Sequence, residues 1–215
     1  IKNGFPSVST MDLVIQEKES ALVIGTFGRA LWVMDDLLSL RALIATNSKD
    51  KLIPLPLNEV VQVKGVFIAP PGNIWSGFHT TFEGENRPFQ KTRIPFFVND
   101  TTHELDSITA LIKDHEGTVI NSLVQKKITR GLNYITWKLD EKSTLLPGSW
   151  VNEESRGIPV LPGEYTAELS YKNEQKTILI KVISDPRFEI DQEVDQALYS
   201  YQKSVGVQVE RLTKL

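Results

Sequence analysis

The stretch EYTAELSYKNEQKTILIKVI, residues 164–183, decides the fold of this chain of 215 residues. Between Tyr165 and Tyr171 the odd positions are apolar and the even positions are polar, as in a strand with one buried and one wet face. The triplet KNE at 172–174 interrupts this alternation, and a second strand-length run follows from Lys176 to Ile183. The stretch therefore predicts an antiparallel hairpin, one side of which covers a core.

More strand-length runs precede the hairpin, and the break between two of them has a recognisable turn. Residues 114–117 (DHEG) fit a type I turn that is closed by a glycine in the left-handed region. Six or seven short strands separated by such turns are typical of a two-sheet sandwich rather than a parallel fold. The other predicted strands cover residues 60–68, 93–98, 107–113, 118–124 and 132–139.

Three short sequence motifs stand out in this β region: DHEGTV at 114–119, GLNYITW at 131–137 and LPGEY at 161–165. The Pro-Gly pair of the third motif sets a turn into the next strand, and Trp137 is a large apolar anchor between sheets. Together the motifs resemble the immunoglobulin-like module of flagellar hook-capping proteins, over about residues 108–169. The resemblance implies a mainly β fold, with an immunoglobulin-like antiparallel β-sandwich over 58–184, and it says little about function because such sandwiches carry many roles.

The first forty residues contain three short apolar runs, at 11–16, 21–27 and 30–37, which predict a meander of antiparallel strands. Two segments resemble the last blade of bacterial sortilin-like, BNR-repeat β-propellers, which are often classified as glycosyl hydrolases. They are FPSVSTMDLVI at 5–15 and ALVIGTFGRALWVMDDLLSLRAL at 21–43. The resemblance implies that residues 1–40 are the last strands of a propeller blade. It also implies a larger bacterial protein, secreted or periplasmic, whose upstream propeller domain is a partner of this chain.

Two further segments complete the predicted organisation. Residues 41–57 are predicted to be a connector with one short helical turn, and residues 185–215 to be the start of a helical segment. Asp191 is a candidate N-cap residue for that segment. The apolar stripe that predicts this helix consists of Ile190, Val194, Ala197, Leu198, Tyr201 and Val205.

Composition excludes several classes of function. The chain has no cysteine, so disulfides, zinc-thiolate sites and thiol nucleophiles are excluded. The formal net charge is −3 and basic residues do not cluster, which argues against a nucleic-acid partner. No apolar stretch approaches the roughly 20 residues that span a bilayer, so no membrane span is predicted.

Candidate catalytic residues lack a supporting pattern. His79, His103 and His115 are scattered, without the spacing of a metal site, and we expect neither a metal nor a cofactor. Glycoside cleavage needs two carboxylates in a cleft, and adjacent acids in loops are usually only solvated. We therefore predict no catalytic residue among the acidic pairs Asp35–Asp36, Glu83–Glu85 and Glu153–Glu154.

Exposed aromatic residues are the remaining candidates for binding. The stretch 69–92 reads as a long loop that carries Trp75, Phe78, Phe82 and Phe89. Such aromatics stack on sugar rings in carbohydrate-binding sandwiches, or they dock a loop onto a neighbouring domain, which is the reading that we favour. Trp75, Phe78 and Trp150 are the sugar-stacking candidates, and a polysaccharide is the ligand that they would take.

Three hypotheses follow from the sequence. The favoured one is a non-catalytic structural and interaction module at the C-terminal end of a larger propeller protein. The alternative is a carbohydrate-binding accessory module of a glycosyl hydrolase, and the least favoured is a hydrolase fragment that contributes one acid to a site completed upstream. The unpaired blade strands around 21–34 also predict a homodimer, or a cover over the sandwich.

Overall fold

The computed structural model describes residues 7–18, 20–28, 30–34, 36–62, 92–102, 107–144 and 157–213. These residues are divided into two compact units, one that ends at Asn47 and one that begins at Ser48. The fold is mainly β, with several antiparallel sheets and two helices, as the sequence predicts.

The first unit is a three-stranded antiparallel sheet followed by a helix. Its strands are β1 (Thr10–Gln16), β2 (Ala21–Thr26) and β3 (Leu31–Met34), with β2 in the centre, and its helix is α1 (Leu37–Ala45). Asp36 adopts a left-handed conformation (φ 64°), and its carboxylate accepts the N–H of Ser39 at 3.0 Å, which caps α1. The third strand predicted over 30–37 is shorter than expected because this cap turns the chain into a helix.

The second unit is a sandwich of two sheets. One sheet has the order β4-β6-β9 and the other the order β5-β11-β10-β7-β8. Neighbouring strands are antiparallel except β5 and β11, which run parallel. The strands are β4 (Leu52–Pro54), β5 (Val60–Gln62), β6 (Thr92–Val98), β7 (Ile108–Lys113), β8 (Val119–Gln125), β9 (Gly131–Trp137), β10 (Gly163–Tyr171) and β11 (Glu174–Ser184).

This strand order is that of an immunoglobulin-like sandwich. Strands β4, β6 and β9 correspond to A, B and E, while β11, β10, β7 and β8 correspond to G, F, C and C′. At the start of β10, the Tyr165 hydroxyl donates to the carbonyl of Leu161 at 2.6 Å, which is the tyrosine-corner contact of such folds. The predicted immunoglobulin-like sandwich is thereby confirmed.

The core lies between the two sheets, and Trp137 is its largest buried side chain. Trp137 of β9 meets Tyr165 of β10 edge to face, with ring centroids 5.4 Å apart and planes at 64°. Its indole N–H donates to the carbonyl of Asp140 at 2.8 Å, so the ring is buried without an unpaired donor. The predicted role of Trp137 as an anchor between the sheets is confirmed.

The predicted turn at 114–117 is also confirmed. Gly117 has a φ of 82°, and its N–H donates to the carbonyl of Asp114 at 3.0 Å. The carboxylate of Asp114 accepts the N–H groups of Glu116 and Thr118 at 3.0 and 2.9 Å. The Asp114 side chain stabilises the turn through hydrogen bonds to the turn's own backbone. Because no distant residue is needed, the four residues alone were enough to predict the turn.

The segment 41–57, predicted as a connector, contains the end of α1 and the whole of β4. Strand β4 pairs with β6, where Pro54 faces Phe96. Pro95 lies in the middle of β6 although that strand is central in its sheet. The Pro95 carbonyl accepts the N–H of Leu55 at 3.3 Å, just beyond the end of β4. Proline has no backbone N–H to donate, and here that N–H would point to the place where β4 ends, so proline is tolerated.

The helix predicted after residue 185 is α2 (Gln192–Thr213), which continues beyond Val205. The Asp191 carboxylate accepts the N–H groups of Glu193 and Val194 at 3.0 and 3.2 Å, which confirms Asp191 as the N-cap. None of the residues of α2 is buried. Within the described part of the chain, no helix combines the length and apolar character that crossing a membrane requires.

Candidate interaction surfaces

The predicted sugar-stacking residues Trp75, Phe78 and Trp150 lie outside the described residues, as do Phe82 and Phe89. Sugar binding through these side chains stays a prediction.

The candidate catalytic residues that the structure describes are not assembled into a site. His115 is exposed in the 114–117 turn, and Asp36 is occupied in capping α1. The remaining members of the predicted histidine and acid sets lie outside the described residues. Among the side chains described, no three His, Cys, Asp or Glu residues come together in a way that could hold a metal ion.

One polar cluster on the sandwich has the residue types of a catalytic site. Glu141 accepts hydrogen bonds from the Tyr199 hydroxyl and, at 3.1 Å, from the ammonium of Lys203 on α2. Burial, together with Glu141, raises the pKa of Tyr199. Burial opposes the charge of Lys203, yet the hydrogen bonds to Glu141 and Tyr199 raise its pKa. At neutral pH the phenol and the ammonium both keep their protons, so neither can act as a base, and the cluster fastens α2 to the sandwich.

Buried polar groups of the sandwich are likewise occupied internally. The Asn121 amide donates to the carbonyl and carboxylate of Asp140 at 2.9 and 3.3 Å. Asp185 is almost fully buried, and the guanidinium of Arg187 donates to its two carboxylate oxygens at 2.8 and 2.6 Å. Such paired groups hold the fold together.

The first unit presents a different surface, because both faces of its sheet are apolar. The strand register places Leu13, Ile24 and Trp32 in one row of the first face, and Val14, Val23 and Val33 in one row of the opposite face. An antiparallel sheet with one wet face alternates apolar and polar residues, whereas this sheet does not. The exposed apolar residues on the first face include Leu13, Ile15 and Met34, and those on the second face include Val14, Leu31 and Val33.

Within the described residues, β1 and β3 are the outer strands of this sheet. Every residue of β1 is exposed, and only Ala21 and Ile24 of the three strands are buried. A three-stranded sheet that is largely exposed on both faces is marginally stable by itself. The surface therefore has the properties of an element that is completed by other sheets.

Helix α2 carries a second exposed apolar stripe. Its face toward the sandwich includes Tyr199, Lys203 and Gly206, and an added Cβ at Gly206 would lie 3.0 Å from the Thr144 hydroxyl. Another face of the helix carries exposed apolar side chains from its first turn to its last. That face consists of Val194, Leu198, Tyr201, Val205 and Leu212.

Searches for similar proteins among family models, curated proteins and solved structures returned no match.

Proposed function

We propose that this chain is a non-catalytic structural and interaction module at the C-terminal end of a larger secreted or periplasmic propeller protein of a bacterium. The first unit is the end of a propeller blade, and the immunoglobulin-like sandwich braces the propeller or presents it to a partner. The observation that carries this proposal is the pair of apolar faces on the sheet β1-β2-β3. A propeller blade needs such faces, because each blade is packed between two others.

The state of the titratable groups supports a non-catalytic role. Four buried or half-buried acids of the sandwich, Asp100, Asp140, Glu141 and Asp185, are engaged by donors of the same unit. Their carboxylate oxygens already accept hydrogen bonds within the sandwich, as expected of groups that hold a fold together rather than of a general acid or base.

The proposal is tested by extending the chain upstream with the residues that precede Ile1 in its natural polypeptide. In the chain alone, the apolar faces should bind a hydrophobic dye, and the outer strands β1 and β3 should favour a homodimer at high concentration. Dye binding and dimerisation should both be lost when the preceding segment is present. A chain that binds no dye, or an extended protein that keeps both properties, contradicts the proposal.

A matched pair of variants assigns the dye signal. Val33→Glu places a charge on the apolar sheet and should remove much of the dye binding, whereas Thr177→Glu on the exposed side of β11 should not. The carbohydrate-binding alternative predicts retardation on a polysaccharide affinity gel that is lost in Trp75→Ala. That result would favour a carbohydrate-binding accessory module over the bracing function.

A further inference from the structure

The end of the sandwich at the β10–β11 hairpin carries charged side chains where the core would otherwise continue. Along β11, Ile178, Ile180 and Val182 are buried toward the opposite sheet, and Glu174 and Lys176 occupy the same face nearer the turn. The strand that they meet in the opposite sheet is β4, which begins five residues after the boundary between the two units.

Glu174 holds the backbone at the start of β4. Its Oε1 accepts the N–H of Lys51 at 3.1 Å, and its Oε2 accepts the N–H of Leu52 at 2.9 Å. Hydrogen bonds to a charged acceptor are stronger than those between neutral groups, and two of them fix the direction of the chain. Leu52 is fully buried, so these bonds also determine which side chain of the segment enters the core.

The flanking lysines of the hairpin bind two neighbouring segments, the start of β4 and the end of β6. The ammonium of Lys176 lies 2.6 Å from the carboxylate of Asp50. The hydrogen bond from Lys176, with a second from Ser48, lowers the pKa of Asp50. On the other side, Lys172 lies 2.7 Å from the carboxylate of Asp100.

Asp100 closes the arrangement at the end of β6. Its carboxylate is buried and accepts the Tyr171 hydroxyl and the N–H of Thr102, each at 3.0 Å. The preceding residue, Asn99, donates its N–H to the carbonyl of Lys51 at 2.8 Å. The short strand β4 is therefore held by its neighbour β6 and, independently, by side chains of the hairpin in the other sheet.

We infer that the β10–β11 hairpin is a latch that fixes the chain to the sandwich at the point where it leaves the first unit. This inference deepens the proposed bracing function and rests on it, because a brace must hold the segment through which it is connected. The latch consists of Lys172, Glu174 and Lys176. Glu174 and Lys176 bind the segment 50–52, and Lys172 binds Asp100 at the end of β6, the strand that pairs with β4. When the latch opens, β4 detaches while the other strands stay paired.

The test is amide hydrogen exchange of the full chain in two charge-matched variants. Glu174→Gln weakens the two hydrogen bonds to β4, and Glu168→Gln removes a comparable half-buried carboxylate that lies 2.8 Å from Lys113. We expect the Lys51 and Leu52 amides to exchange at least about tenfold faster in Glu174→Gln, with unchanged protection in β7 and β10. Glu168→Gln should leave the Lys51 and Leu52 amides as in the wild type.

A second variant guards against indirect effects. Lys176→Met keeps the backbone bonds of Glu174 and should accelerate the same two amides by a smaller factor. Unchanged exchange in Glu174→Gln, equal acceleration in Glu168→Gln, or a loss of protection throughout the sandwich would each overturn the latch. None of these results bears on the dye and dimer tests of the first unit, so the latch and the bracing function can fail separately.

Discussion

The two units of this chain use the same residue types in opposite ways. In the sandwich, Trp137, Phe96 and Leu169 are fully buried, whereas in the first unit Leu13, Val14 and Val33 are at least half exposed. The sandwich has one apolar side per sheet, and the three-stranded sheet has two. A sheet with one apolar side can complete a core by pairing with one other sheet, but a sheet with two requires a neighbour on each side.

The largest expected difference between the units is the response to loss of a tryptophan. Trp137→Ala should lower the free energy of unfolding of the sandwich by about 3–5 kcal/mol, because it leaves a cavity between the sheets. Trp32→Ala, at the half-buried position of the otherwise exposed β3, should cost less, since the strand is open to solvent and no cavity is closed off. Urea unfolding followed by far-ultraviolet circular dichroism measures the change in the free energy of unfolding for both variants. Equal losses of free energy would contradict the proposed difference between the two units.

The second prediction concerns acid. The hydrogen bonds from Lys172 and the N–H of Thr102 hold the pKa of Asp100 well below its ordinary value of 3.8. A depressed folded-state pKa stabilises the sandwich above pH 3.8, and this stabilisation is lost as the pH falls below it. Asp100→Asn should therefore lower Tm at pH 7, and the difference from the wild type should shrink in acid. A difference in Tm that is independent of pH would contradict this account.

The third prediction concerns the tyrosine corner. Tyr165→Phe removes the bond to Leu161 and should cost about 1 kcal/mol of sandwich stability. Burial, followed by the charges of Tyr199 and Glu141, raises the pKa of Tyr165 to about 12. A raised folded-state pKa contributes stability below pH 10 that is lost toward pH 12, so the wild type and the variant should converge in alkali. A stability difference between the wild type and Tyr165→Phe that stays constant from pH 10 to pH 12 would contradict this prediction.

The last expected effect has the opposite sign and belongs to the first unit. The Ser39 hydroxyl is fully buried in α1 and has no hydrogen-bond partner. Ser39→Ala should stabilise that unit by about 1 kcal/mol, because the buried polar atom is removed and alanine favours helix. Slower amide exchange in α1 would agree with this, and faster exchange would contradict it.

Local signals made much of the sandwich predictable from the sequence. The alternation at 164–183 and the turn at 114–117 depend on neighbouring residues alone, so they could be identified without knowledge of the fold. Strand β4 was not predicted, because three residues show no period and their partners, β6 and Glu174, lie far along the chain. The latch residues were missed for the same reason, since Lys172, Glu174 and Lys176 resemble ordinary solvated charges of a hairpin.

The candidate surfaces were predicted less completely. The runs at 11–16 and 21–27 identified the strands, but the sequence alone did not show that both faces of the sheet are apolar. That property depends on register, which aligns Leu13 with Ile24 and Val14 with Val23. The tyrosine-corner hydrogen bond was missed too, although the motif LPGEY at 161–165 marks the turn that brings Leu161 and Tyr165 together.

Amide exchange in the two central strands tests the central claim most directly. Strand β2 lies between β1 and β3, and β10 lies between β11 and β7, so both have hydrogen-bonded neighbours on each side. If the first unit lacks a core of its own, β2 should open at least about 3 kcal/mol more easily than β10 in this chain. Protection of β2 equal to that of β10 would show that the first unit is self-sufficient, and it would contradict the account.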